Sequence, residues 1–360
     1  MNDAMNIHEE LAVFKKKLDI ELKLFFDREI AEAKKQDSLV SAALLQARKI
    51  LLSGGKRIRA AMMYVGYLAA GGEDRQEMLK ASMSIELIHT FLLIHDDVMD
   101  RDDVRHGQTT IHAFFRQYGE TVFPGKDSVH LGNIMAISVG DILTAYGSQC
   151  LFTSSFRPEN IILALRRLQS IILSTVIGQM KDIRMGFSSE IADENDVLLM
   201  YELKTARYTF EGPLCLGVTL AGGSKELLLQ MKDFSIPIGI AYQIQDDILG
   251  IYGEETSVGK VVGSDLEEGK MTLLVSRAYK QANKAQKKEL KDIWGTTLTK
   301  EKLVRVREIF KETGSFDYAM NLQNTLLAQA KEKAQDIATT NSYSRDFLLS
   351  IISYLSERKM

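Results

Sequence analysis

The chain is short of proline, tryptophan and cysteine, with four, one and two in 360 residues, and it carries no surplus of either charge. Each shortage excludes something. So few prolines leave long helices uninterrupted and make a turn-rich all-β fold hard to build. Cys150 and Cys215 stand in apolar surroundings outside any CxxC or Cys/His spacing, so they read as small core residues of a reducing compartment. Lys and Arg number 45 against 48 Asp and Glu, a net charge of −3, which argues against a basic face for nucleic acid. The opening MNDAMNIHEELAVF lacks the basic and apolar regions of a leader. The most apolar stretches are broken by Asp141, Glu211 or Asp246 before reaching spanning length. A cytoplasmic protein with no transmembrane segment is expected.

Hydrophobic residues make up 45% and charged residues 26%, so the chain can bury a sizeable core. Apolar residues recur at helical spacing, as in Ile85, Ile88 and Leu92, or Leu165, Leu168 and Ile172, and no run alternates with period two. Breaks fall at Gly54-Gly55, Gly71-Gly72, Thr121 to Gly132, Phe156 to Glu159, Gly222-Gly223 and Gly253 to Gly269. With no compositional boundary and no repeat, the expected architecture is all-α, one large bundle of roughly ten or more helices forming a single domain over residues 1–360. The mixed-charge runs Lys280 to Lys291 and Lys300 to Lys311 read as solvated helix faces.

Chemistry concentrates in two acidic clusters. The first, HDDVMDRDDVRHG from His95 to Gly107, follows an apolar run from Ile85 to Ile94. Asp96 and Asp100 are four apart, on one helix face, where like charges repel unless a cation lies between them. A solvated acidic helix end would carry the same pattern. Carboxylate oxygen without thiolate or paired imidazole suits Mg²⁺ better than zinc. The second cluster, YQIQDDILG from Tyr242 to Gly250, repeats the arrangement with Asp246 and Asp247. Two such walls imply facing helices with a shared metal site and, because Mg²⁺ binds through few carboxylates plus phosphate, a diphosphate between them. Basic groups for phosphate occur in SGGKRIRA, where Lys56 and Arg59 are three apart, and at Arg105, Lys204, Lys260 and Lys270. For Arg57, Lys260 and Lys270 a plain surface charge is an equal reading.

In order along the chain stand GGKRIRA, IELIHTFLLIHDDVMDRDDVRHG, Gly140-Asp141, GQMKD from Gly178 to Asp182, LKTA from Leu203 to Ala206, YQIQDDILG, and GKVVGSDLEEGKMT from Gly259 to Thr272. With these motifs, spanning about residues 50 to 275, the sequence resembles the polyprenyl synthetase family, the trans-isoprenyl diphosphate synthases, and most of all the geranylgeranyl diphosphate synthases. The resemblance implies an all-α bundle of the isoprenoid synthase type with a central cavity, and a likeness to homodimers. It also implies condensation of isopentenyl diphosphate with an allylic diphosphate. By position, Asp96, Asp100 and Asp246 would bind Mg²⁺, three ions with bound diphosphate, supported by Asp97, Asp247 and Asp182. Arg105, Lys204 and Lys260 would face the allylic diphosphate, Lys56, Arg59, His89 and His106 the isopentenyl diphosphate, and Gln179 would join the substrate-binding set. Thr205, Gln243 and the Lys204 carbonyl would stabilise the carbocation.

Four features depart from the family pattern. His106 stands for a second arginine, Gly250 for a fifth-position aspartate and Ala60 for a proline, and the link from His112 to Gly140 is long enough for a flap or a loop. Outside the resemblance, His89 and His95 read as core histidines, and the His95-Asp96 pair invites a His-Asp metal phosphohydrolase. The remaining histidines, His8, His106, His112 and His130, do not supply that class with its ligands. A non-catalytic partner subunit would tend to lose aspartates that this chain keeps. A terpene cyclase would have no use for GGKRIRA.

Product length is expected from the helix before Asp96. Phe91 lies five residues upstream and Leu92 four, with no insertion in DDVMD, an arrangement that resembles archaeal-type geranylgeranyl synthases. Phe91 and Leu92 would form the floor of the chain cavity, with Ile88 and Ile85 deeper, for a C20 product. A farnesyl or longer product is the alternative.

Overall fold

The computed structural model describes residues 5–188, 190–253 and 262–357. Long helices dominate, as the proline-poor sequence leads one to expect: α1 (Ile7–Gln36), α2 (Ser38–Ser53), α3 (Ile58–Ala69), α4 (Arg75–Ala81), α5 (Met83–Asp100), α6 (Ile111–Val122), α7 (Ser128–Phe152) and α8 (Pro158–Phe187). Helix α9 (Glu194–Tyr201) runs directly into a π-helix (Glu202–Glu211) and then α10 (Gly212–Leu220), followed by α11 (Lys225–Tyr252). A smaller tail group comprises α12 (Ser264–Glu267), α13 (Leu273–Gln281), α14 (Lys284–Ile293), α15 (Lys300–Glu312), α16 (Ser315–Asp336) and α17 (Ser342–Ser356). Helix starts follow local chemistry: the side chains of Asn6, Asp37, Asp127, Ser224 and Asn341 each accept a backbone N–H of the first turn.

Two elements differ from the sequence reading. The link from His112 to Gly140 is neither flap nor loop. Helices α6 and α7 take up nearly all of it, because Ile111, Ala113, Phe115, Ala136 and Val139 bury one face of each against the rest. Strands also occur, as a two-residue hairpin of β1 (Val104–Arg105) and β2 (Gln108–Thr109) paired Val104 to Thr109 and Arg105 to Gln108. His106 and Gly107 form its turn with φ of 48° and 73°, the double positive φ that tight hairpins demand.

Helix α5 packs on α7, and α11 on both the π-helix and α16, so the acidic ends of α5 and α11 face a common interior. One core, with Leu22, Phe26, Ile85, Ile88, Phe115 and Leu143, lies beneath α5; a second joins α3, α10, α11 and α17 through Met62, Leu214, Phe234 and Phe347. A third, around Tyr201, Ile248, Leu274 and Phe310, fastens the tail group to the end of α11. Both cysteines are free, and burial pushes each thiol up to about 12. By length and composition alone α7 and α8 could cross a membrane, where the sequence reading found no such segment.

Candidate active site

Three cavities meet at the C-terminal half of α5. The first, about 250 Å³, is acidic and is lined by Asp96, Asp182, Asp246, Asp247 and Asp265 together with Lys204 and Lys270. The second, about 310 Å³, is basic and is lined by Lys56, Arg59, His89 and His106. Between them an apolar cavity of about 290 Å³ has walls that include Phe91, Leu92, Val176, Met180 and Tyr208. It shares Asp96 and Lys204 with the acidic cavity, and Arg59 and His89 with the basic one.

The acidic cavity is a network with few cations. Gln179 donates to Asp96 (3.0 Å), and Lys204 Nζ donates to Asp182 (2.6 Å). Burial opposes the charge on Lys204, but Asp182 and Asp96 outweigh it and hold the ammonium above the usual lysine range. Lys270 reaches Asp100 (3.2 Å), Asp265 (3.5 Å) and Glu268 (2.5 Å), tying the end of α5 to the segment after α11, so it is no surface charge. Asp100 is nonetheless raised, by burial first and by Asp96 second. Burial also lifts Asp247 to about 8, although Tyr201 Oη donates to one of its oxygens and Gln243 (2.9 Å) to the other. The donor set is oxygen alone, and among the described residues no three acidic, histidine or cysteine side chains already form a metal cage. Separated carboxylate walls of this kind fit Mg²⁺, which keeps waters and takes phosphate oxygens as ligands.

Position 250 is where the second acidic motif lacks its last aspartate. A Cβ built on Gly250 would lie 3.1 Å from Asp265 Oδ2, so the Asp265 carboxylate occupies the room that a side chain there would need. Sequence reasoning missed Asp265, although GSDLEEGK offered it.

Lys204 and Thr205 belong to the π-helix, whose seating depends on two close approaches. A Cβ on Gly178 would come 2.5 Å from the Lys204 nitrogen, and one on Gly239 would come 2.4 Å from Ala206 Cα. Wide helical turns of this kind recur at functional sites. Thr205 donates to Gln243 (2.7 Å), leaving only lone pairs on its oxygen at the edge of the apolar cavity.

In the basic cavity Arg59 donates to His89 Nε2 (3.3 Å) and lies over the Tyr208 ring (4.4 Å). Arg59 Nε and His89 Nδ1 are buried without a partner, two donors awaiting an acceptor. Burial, then Arg59, holds His89 well below the ordinary histidine range, so its imidazole is neutral. His106 is also lowered, by burial and by Arg105. Tyr354 of α17 closes the wall with its ring 5.0 Å from Lys56 Nζ, a contribution from far down the chain that no motif announced.

The expected site residues therefore do not all face the cavities. Arg57, at φ 56° before α3, borders the basic cavity, yet its guanidinium is taken up by Asp19 (2.8 Å), Glu86 (3.2 Å) and the Leu51 carbonyl (2.6 Å), which makes it chiefly a structural cation. Arg105, expected at the allylic diphosphate, is bound to Asp97 beneath the first motif and lines none of the three cavities. Burial lifts Asp97 to about 7 despite that partner, and its second oxygen has none. Phe91 and Leu92 line the apolar cavity, whereas Ile88 does not: it is packed under α7, 2.8 Å from where a Cβ on Gly147 would stand. Lys260 lies outside the described residues.

The family model for polyprenyl synthetase matches residues 41–313. The chain is 33% identical over 313 residues to geranylgeranyl diphosphate synthase of Sulfolobus acidocaldarius, covering 86% of this chain and 87% of that protein. It is 31% identical over 313 residues to geranylfarnesyl diphosphate synthase of Aeropyrum pernix, covering 86% and 92%. The crystal structure of geranylgeranyl pyrophosphate synthase from Corynebacterium glutamicum, complexed with isoprenyl diphosphate and magnesium, superposes with a TM-score of 0.89 at 27% identity, covering 96% of this chain and 99% of that one.

Proposed function

The chain belongs to the polyprenyl synthetase family of prenyltransferases, and on that premise we propose that it joins isopentenyl diphosphate head-to-tail to an allylic diphosphate with geranylgeranyl diphosphate as main product. The observation that carries this reading is the adjacency of the three cavities, with an acidic and a basic pocket each sharing wall residues with the same apolar space. Two diphosphates bound at the two polar pockets would bring their hydrocarbon ends together there.

Asp96, Asp100 and Asp246 would hold the metal, with Asp182, Asp247 and Asp265 behind them. Three Mg²⁺ ions bound with the allylic diphosphate would neutralise the charge that develops as it departs. Lys204, kept protonated by Asp182, adds a fixed positive charge at the same place. Arg59, His89, Lys56 and His106 would grip isopentenyl diphosphate, the first two through the donors that lack protein partners. Thr205 presents lone pairs beside the ionising carbon, and the apolar walls keep water from quenching the cation. No side chain here stands out as a base, so the final proton would leave with the released diphosphate. Incubation with isopentenyl diphosphate and each allylic primer, followed by chromatography, should give mainly C20; a main product of C15 or of C25 and above would overturn that assignment.

His106 occupies a wall where the family carries arginine, and its lowered pKa leaves it uncharged at neutral pH. His106→Arg is expected to lower the Michaelis constant for isopentenyl diphosphate about tenfold, the worth of one charge-assisted hydrogen bond, and to change that for the primer little. Equal changes for both substrates would mean that position 106 makes no contact of its own with isopentenyl diphosphate.

The apolar cavity is incomplete along α8. Val176, Met180 and Ile183 line it yet are 38%, 65% and 39% exposed, and Leu173 and Ile177 extend the same apolar face. A second copy of the chain laid along α8 would close that wall, and light scattering should then return twice the chain mass. A monomer at working concentration would refute the homodimer.

A further inference from the structure

We propose that His95 is a positioning residue for product length: anchored on α7, its imidazole holds the Phe91 ring across the end of the apolar cavity. The inference rests on Phe91 being the floor of that cavity.

Phe91 and His95 are four apart on α5 and therefore share a face. Their rings meet edge to face, with centroids 4.8 Å apart and planes at 78°. Both border the apolar cavity, and among the described residues His95 is the one ring in aromatic contact with Phe91. On its far side His95 Nε2 lies 3.2 Å from the Ile137 carbonyl of α7. A ring nitrogen facing a carbonyl must carry the proton, which fixes the tautomer and the ring's orientation. Gly140, on the next turn of α7, provides the slot: a Cβ there would come 2.3 Å from Nε2 and 2.6 Å from Cδ2. The imidazole is thus clamped between two helices, and Phe91 leans on it. An edge-to-face pair favours one ring orientation by about 2- to 12-fold, enough to decide how often a growing chain finds the floor open.

The test is the ratio of products longer than C20 to C20 within each reaction, from one primer, so that loss of turnover alone does not register. His95→Ala should raise that ratio several-fold, by less than Phe91→Ala does. Gly140→Ala, which pushes the imidazole from its slot from the opposite helix, should shift it the same way; should it fail to fold, His95→Ala and the double variant carry the test. Because His95 acts through Phe91, His95→Ala added to Phe91→Ala should lengthen products no further. An unchanged ratio in His95→Ala or in folded Gly140→Ala overturns the proposal. So does a full additional shift in the double variant, which would make His95 a barrier in its own right. No shift in Phe91→Ala itself would remove the floor, a failure that reads separately, and the brace with it.

Discussion

Replacing Asp100 or Asp246 with alanine is expected to lower condensation by about 10³-fold while leaving the helical fold intact. The reason is where the two carboxylates stand. Asp100 is in the last turn of α5, whose carbonyl ends already favour cations, and Lys270 is the only cation that the described ion pairs give it. Asp246 lines the opposite wall of the acidic cavity. Neither is part of the packed cores that hold α5 and α11, so removing either should leave those cores in place while weakening charge stabilisation at the departing diphosphate. Asp100→Asn separates charge from shape: it should be nearly as impaired as Asp100→Ala. Wild-type turnover in either alanine variant, with circular dichroism unchanged, would remove the two walls from the chemistry.

Phe91→Ala is expected to move the main product from C20 to C25 and longer. Phe91 is 8% exposed and sits where the apolar cavity meets α5, and one helical turn rises about 5.4 Å, close to the length of one isoprene unit. Deleting the ring therefore opens about one further unit of depth, after which Ile88 and Ile85, buried beneath, become the next obstacle. Removal of a buried phenylalanine commonly costs about 3–5 kcal/mol. Phe91 already borders open space, so the loss in stability should fall at the low end. Chromatography beside the wild type with the same primer decides it, and an unchanged distribution would place the floor elsewhere.

What could be read from the sequence was local. Asp96 and Asp100, or Phe91 and Leu92, are set by helical spacing; the structure puts Phe91 and Leu92 on one wall of the apolar cavity and Asp96 on the acidic one, while Asp100 lines none of the three cavities and is tied to the acidic one through Lys270. The basic motif could be read for Lys56 and Arg59 but not for Arg57, whose partners Asp19 and Glu86 lie 38 and 29 residues away. Asp265 beside Gly250, and Tyr354 beside Lys56, are likewise products of tertiary folding. The turn at His106-Gly107 was missed because strands of two residues each leave no period-two run to read. The π-helix has no signature of its own in apolar spacing, and the close fits of Gly178 and Gly239 against it are tertiary contacts that no local pattern announces.

The most direct measurement is condensation by the purified protein with isopentenyl diphosphate and an allylic primer, run with Mg²⁺ and again with excess chelator. The account expects C20 prenyl diphosphate with the metal, essentially none with chelator, and full recovery when Mg²⁺ is restored. Condensation that continues at the same rate in chelator, or no prenyl product from any primer with Mg²⁺ present, would contradict it.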